Sequence, residues 1–469
     1  MGSDNNTKAL KSGVWYTVAN FFMKSIGFIT TPLFTRLLTK SDYGLYNNYA
    51  SWLSTFLVIV TLNLGASFIS AKFDHEKDFD GYVSSTLVLS TLATALGVII
   101  VNAFPAFFTK VTGIEHRYLN IMFLYLMFYA AVDMFQTRER FFFEYKISVL
   151  TSLSIGISTA AVSVLLVVHM DNKLCGRIVG SAAPTVLAGI LLYSILLWRG
   201  KKVNVTYWRY ALPICVPFIP HLLSLSLLNA MDKMMITKIC GPEDNALYSV
   251  AYNCGAVITL LVVSLNTAFS PWLGERLHEK KYDEIRAVSR TYVLFFVYAS
   301  CGVMMITPEL LLVMGGKSYS GALYVMPPVT FGCVCQFLYT MYVNVEQFNK
   351  RTVGMAVASV VAAASNYLMN WLLIPRVGFE VAAYTTLASF MILLFIHMFL
   401  VRRMGLSTVY STKLVICVLL FMSGFTALVH LLFRTTVLRY SVLGVYAVIT
   451  VVIALKNKTK LLTLFKKKS

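Results

Sequence analysis

Charge is scarce in this sequence. Asp, Glu, Lys and Arg make up only 13% of its 469 residues, against about 25% in an ordinary soluble protein. Nowhere does a polar stretch run long enough to build a soluble domain. Strict apolar–polar alternation is missing too, because the apolar runs are continuous, and this excludes a transmembrane β-barrel. There is no HExxH, no phosphate-binding loop, no nucleophile elbow and no paired carboxylates in a large loop, so no enzyme class is indicated. A membrane glycosyltransferase or polymerase would need a sizeable external loop for its catalytic groups. The external loops here reach only about a dozen residues.

What is present is apolar sequence. Hydrophobic residues make up 58% of the chain, and runs of about twenty or more, each able to span a bilayer, recur from end to end. They predict an all-α polytopic membrane protein with about 14 transmembrane helices. The expected spans are 10–38, 43–70, 81–109, 117–137, 147–169, 178–198, 210–239, 246–273, 289–313, 322–345, 353–374, 379–401, 412–433 and 436–455. The first run is too long, and too polar inside, for a cleavable signal peptide.

The formal net charge of +19 is distributed for a membrane and not for nucleic acid. With the N-terminus cytoplasmic, 27 of the 40 Lys and Arg residues fall on the inner side and 11 on the outer side. Lys24 and Lys233 fall within spans. Clusters stand at Arg199, Lys201, Lys202 and Arg209, at Arg276 to Arg290, and at Lys456 to Lys468. This positive-inside bias puts both termini in the cytoplasm, and the basic tail suits anionic membrane lipid. The sequons at Asn5, Asn204 and Asn457 then lie inside, where no glycan is added. The eight cysteines sit mostly within spans as small apolar residues. Cys333 and Cys335 have no His or carboxylate cluster beside them, so no metal is expected.

An internal repeat organises the spans. RLLTKSDYGLY from Arg36 aligns without a gap to KICGPEDNALY from Lys238, an offset of 202 residues. LN at 62–63 matches LN at 265–266, and GRIVGS from Gly176 matches GFEVAA from Gly378. The unit holds six spans, an even number, so both copies have one orientation and a pseudo-twofold along the membrane normal. The expected division is a six-helix lobe over 1–206, a second over 207–405, and two further helices with the basic tail over 406–469.

Polar residues inside the spans mark candidate function. On the first span Gly13, Tyr16, Thr17, Asn20, Lys24, Gly27, Thr31 and Thr35 share one arc of roughly 100°. Lys24 lies at the middle of the span, where a lysine costs about 2.5–3.5 kcal/mol. Snorkelling is hard from there, which favours a water-filled cavity over a structural partner. Asn48, Ser51, Trp52, Thr55 and Asn63 form a second stripe, read equally well as helix-packing contacts. On the seventh span His221, Ser224, Asn229 and Asp232 share a side with Lys233 at its edge. Asp232 and Lys233 point about 100° apart and do not pair along the helix. Asp232 suits either ion coupling or a salt bridge to another helix. Pro217 and Pro220 remove backbone bonds and predict a bend. On the fourth span Tyr125, Tyr129, Asp133, Gln136 and Arg140 line up, with Asp133 read as a solvated charge near the helix end.

SGVWYTVANFFMKSIGFITTPLFTRLLTKSDYGLYNNYASW, LPICVPFIPHLLS and MDKMMI resemble the bacterial polysaccharide biosynthesis proteins. These are flippases of lipid-linked oligosaccharides in the multidrug/oligosaccharidyl-lipid/polysaccharide exporter superfamily. The resemblance covers essentially the whole chain. It implies a bacterial plasma-membrane transporter, without cofactor. This would carry an undecaprenyl-diphosphate-linked repeat unit to the outer leaflet by alternating access, with a glycan polymerase and other assembly proteins as candidate partners. It makes Lys24 and Lys233 candidates for the diphosphate or acidic sugars of the substrate. Asn20, Asn48, Asn63 and Asn229 become candidates for sugar hydroxyls, Thr31, Arg36 and His221 further substrate-binding candidates, and the last two spans the place for a lipid-tail groove. A lipid II flippase, a cation-coupled multidrug exporter and a membrane scaffold for glycan assembly remain the alternatives.

Overall fold

The computed structural model describes residue 22 and residues 26–142, 144–349 and 351–456. These residues are helical throughout, without a strand among them. We number the helices by span: α1 over 26–37, α2 Lys40–Val60, α3 Phe79–Ala103, α4 His116–Phe141, α5 Tyr145–His169, α6 Lys173–Gly200, α7 Val205–Ile239 and α8 Pro242–His278. Then follow α9 Tyr282–Met305, α10 Met326–Phe348, α11 Thr352–Val377, α12 Val381–Arg403, α13 Thr412–Leu432 and α14 Thr436–Lys456. Every expected span thus overlaps a helix. Among the described residues ten helices are long and apolar enough to cross a membrane, or eleven if the pair Lys40–Val60 and Leu64–Asp74 is one span.

Local chemistry sets the boundaries. The Thr39 hydroxyl accepts from the Asp42 amide at 3.1 Å and starts α2. Asn172 and Ser411 cap α6 and α13 in the same way. Between α7 and α8, Gly241 takes φ 104°, a conformation that side chains resist, and Pro242 then opens α8. The second span contains no Gly or Pro at its break. Leu62 and Asn63 adopt φ 52° and 49°, and the chain bends by 46° there. The prolines of α7 act more gently than the sequence suggested: one 3₁₀ turn, Val216–Phe218, interrupts an otherwise continuous helix.

Packing follows the same order in both halves. α6 packs against α4 and α5, as α12 packs against α10 and α11. Gly176 and Gly180 let α6 approach the backbone of α5 at Leu166 and Ser163, the close approach that small residues provide within a bilayer. α13 and α14 lie against α9, and α13 also against α10. Large side chains such as Ile99, Leu191 and Leu420 remain exposed on the outside, as a lipid-facing surface requires. At the end of α3, α4 and α6, Arg138 bridges Asp80 and Glu139, and Arg199 joins the same Glu139 oxygen at 2.8 Å. Lys202 pairs with Asp78. Part of the basic cluster after α6 is therefore neutralised by protein carboxylates.

Candidate functional site

The two halves touch at the end that carries the turns 38–41 and 240–242. Asn245 donates to the Gly44 carbonyl at 2.8 Å, and Thr35 to the Met314 carbonyl at 2.6 Å. A Cβ on Gly44 would run into the Pro242 carbonyl, so only glycine admits this contact between α2 and α8. Arg36 lies here as well, exposed, donating to the carbonyls of Pro32 and Val313. It braces the joint and does not face a cavity in this conformation.

Within the first half, α1, α2, α4, α5 and α6 enclose a cavity of about 500 Å³. Its polar lining includes Thr30, Tyr125, Tyr129, Asp133, Gln136 and Arg177. The Arg177 guanidinium lies between two rings, 3.8 Å from the Phe34 centroid and 4.1 Å from that of Tyr46. One of its nitrogens donates to Ser163 at 2.8 Å, whereas Nε is buried without a partner. A planar cation held this way keeps its charge and its edge for a ligand. Sequence reasoning did not single out Arg177. Asp133, taken for a solvated helix end, borders the same cavity.

The second half holds a different arrangement. Asp232 of α7 is 3% exposed. Its carboxylate accepts from the hydroxyls of Tyr248 and Thr386 and, at 2.7 Å, from the amide of Asn370. Asn370 also donates to Asn366 and accepts from Thr385, and Asn366 donates to Thr386 at 3.0 Å. All five partners are at most 3% exposed. Every group bonded to the carboxylate is neutral, so the expected alternative of a salt bridge is not what is found. A buried carboxylate that only neutral groups hydrogen-bond suits a bound hydrogen ion or a small hard cation. Among the described residues no three His, Cys, Asp or Glu side chains gather as a metal site would need. Lys233 points elsewhere, with Nζ 4.9 Å from the Tyr252 ring centroid. Tyr252, Asn229, Gln336 and Thr386 line a cavity of about 300 Å³ beside the cluster.

The remaining candidates separate. Thr31 is buried and bonds back to Gly27, yet it lines a smaller cavity of about 280 Å³ between α1 and α8. Asn48 is fully buried and donates to the Thr112 carbonyl, so it faces protein here and not a cavity. Asn63 forms the bend itself. His221 is half-buried with an unpartnered Nδ1. Asn20 and Lys24 lie outside the described residues. Asn366, Asn370, Thr385 and Thr386 went unrecognised in the sequence. The one available signal was two asparagines four apart on an apolar helix.

Comparison with known proteins agrees with this architecture. The family model "Polysaccharide biosynthesis protein" matches residues 9–276 and the MatE model residues 217–372. Protein 1 of the Lsg locus of Haemophilus influenzae is 24% identical over 291 residues, covering 58% of this chain and 68% of that protein. In three dimensions the chain resembles the lipid II flippase MurJ in an inward closed conformation, with a TM-score of 0.67 at 14% identity, covering 94% of this chain and 99% of that one. It also resembles an inward-facing multidrug resistance MATE family transporter, with a TM-score of 0.59 at 12% identity, covering 83% and 95%. A family model that spans more than half the residues makes the chain a member of the polysaccharide biosynthesis protein family.

Proposed function

We propose that this protein moves an undecaprenyl-diphosphate-linked oligosaccharide from the cytoplasmic to the outer leaflet of a bacterial plasma membrane. The glycan would then serve cell-surface polysaccharide synthesis. The observation that carries this reading is the polar cavity of about 500 Å³ with Arg177 between Phe34 and Tyr46. It offers a fixed cation for a diphosphate, and Tyr125 and Tyr129 offer aromatic faces for sugar rings. Lys24 remains a candidate for the anionic part of the substrate. An apolar groove of about 550 Å³ runs between α9, α13 and α14, lined by Val297, Cys301, Cys417, Phe421 and Val445. This supports the two added helices as a place for the lipid tail. Residues 1–206 and 207–405 act as the two lobes of an alternating-access transporter. With both termini cytoplasmic, the joint at Gly44 and Asn245 closes the external side.

Asp232 supports cation coupling in addition. Export of an anion already gains about 2.3 kcal/mol per charge per 100 mV, inside negative, and a cation entering at Asp232 would add to that drive. The test is flux of a short lipid-linked oligosaccharide into proteoliposomes, scored by lectin access. A K⁺-diffusion potential, a Na⁺ gradient and a pH gradient are applied singly. Flux under any of the three supports the flippase reading, and loss of only the ion-driven part in Asp232→Asn supports coupling. Transport of lipophilic cations with no glycan flux under any gradient would replace this reading with that of a drug exporter.

A further inference from the structure

A second buried carboxylate lies at the opposite end of the second half, and the site just described does not use it. Glu346, near the end of α10, meets His397 of α12, with Oε1 2.7 Å from Nδ1. The two side chains are 1% and 2% exposed. The His397 ring stacks on Tyr339, which stacks in turn on Phe390, so the imidazole is held in place. The other carboxylate oxygen, Oε2, is buried and has no hydrogen-bond partner. His221 of α7 also has a buried, unpartnered Nδ1. From Thr386, which touches Asp232, to His397 is eleven residues of α12, or about 16 Å.

The neighbouring helices bring several cations towards this end: Arg276 on α8, Arg290 on α9, Arg351 before α11, Arg402 on α12 and Lys413 on α13. Among the described residues none of them forms an ion pair with Glu346 or His397. The pair must therefore balance its own charge. With one hydrogen ion it is neutral overall, whether that proton sits on the carboxyl or on the imidazole. Without it, a bare carboxylate stays behind in an apolar interior, which is strongly unfavourable. Water reaching the pair removes that penalty.

We propose that Glu346 and His397 form a second proton-binding site, loaded while this end of the bundle is packed and emptied when it opens to water. The site rests on the reading of the chain as an ion-coupled transporter, with Asp232 serving one end of the second half and the Glu346–His397 pair the other. In each cycle one H⁺ from solvent binds the pair before this end packs, neutralising the carboxylate, and the same H⁺ returns to solvent when water reaches the pair again. No covalent bond to carbon or phosphorus changes.

The experiment needs no substrate, so its failure is separable from failure of the transport reading. Spin labels at Phe73 and Val353, both highly exposed, report the separation of the two halves at this end in proteoliposomes. In the wild-type background the distance distribution should shift to longer values as pH rises from about 5 to about 8. In the double variant Glu346→Gln with His397→Asn that shift should vanish, because no titratable group is left at the pair, and in Glu346→Gln alone it should vanish because no bare carboxylate forms when a proton leaves. Glu346→Asp, which keeps an acid at the site, should retain the shift with a displaced midpoint and so controls for folding. A pH-independent distribution in the wild-type background, or a shift abolished by Asp232→Asn and untouched by Glu346→Gln, would overturn the proposal.

Discussion

Exchanging Asp232 for asparagine alters one oxygen atom, and the structure allows its cost to be worked out in advance. Three donors, from Tyr248, Thr386 and Asn370, converge on the carboxylate. Truncation to alanine would strand all three in a site that water does not reach. At about 1–3 kcal/mol for each unmet buried group, that amounts to roughly 3–9 kcal/mol, much of the ~5–15 kcal/mol that holds a protein folded. Alanine is therefore a poor probe. Asparagine keeps one acceptor oxygen for Asn370, and the two hydroxyls can rotate to accept from its new NH₂ group. The loss should be about 1 kcal/mol, and the chain should insert at normal levels. What disappears is the charge. A cation bound only by the folded protein at about 100 times its Kd stabilises it by about 2.7 kcal/mol. The assay is thermal unfolding of purified protein, with Na⁺ titrated at fixed pH and pH titrated without Na⁺. Wild-type protein should gain stability with whichever ion occupies the site, and Asp232→Asn should gain none from it. Ion-dependent stabilisation that persists at full size in Asp232→Asn would refute an ion site at this carboxylate.

Further outcomes follow from other contacts. Arg177→Ala removes a guanidinium stacked on two rings, at roughly 0.5–2 kcal/mol per ring, and should abolish surface polysaccharide while the protein still inserts. Arg177→Lys should restore part of it, and full activity in the alanine variant would make Arg177 structural. Gly44→Ala forces α2 away from the Pro242 carbonyl, a strain of about 1–3 kcal/mol. It should raise impermeant-maleimide labelling of a cysteine at the buried Ser249 by about 5-fold or more, and unchanged labelling would mean that this joint is not a gate. In a background without native cysteines, a cysteine at Lys317 should be labelled from outside and one at Lys201 should not, and the reverse result would invert the topology.

Much of the fold was legible because a bilayer demands long apolar runs, and such runs survive any error in side-chain reasoning. The turn between α7 and α8 was legible as well, in Gly241 and Pro242, and in the structure it meets Gly44. The break at Leu62 and Asn63 was not legible, because neither residue requires a left-handed backbone and only tertiary packing imposes it. The site was legible in part. Asp232 stood out as a carboxylate in an apolar helix, but its partners come from α8, α11 and α12. A threonine or asparagine there looks the same whether it packs helices or solvates a charge. Arg177 was hidden for another reason: counting charges by loop assigns a helix-end arginine to solvent, although its long stem can turn inward over Phe34 and Tyr46.

The first half places a fixed cation beside its cavity, and the second buries a carboxylate that only neutral groups hydrogen-bond. The first presents Arg177 to its cavity; the second buries Asp232 and Glu346 among neutral or self-balancing partners. An anionic headgroup is thus drawn to one half and opposed by any bare carboxylate in the other. Two unit charges about 10 Å apart in surroundings of effective dielectric ~20 interact by about 1.7 kcal/mol. A cation bound at Asp232 cancels a repulsion of that order, which corresponds to roughly a 17-fold change in affinity. By linkage the anion must favour the cation to the same degree. Under the proposed function, coupling between the two needs no direct contact. On that reading, Arg177 in one half and Asp232 in the other are sufficient to make each ligand assist the binding of the other.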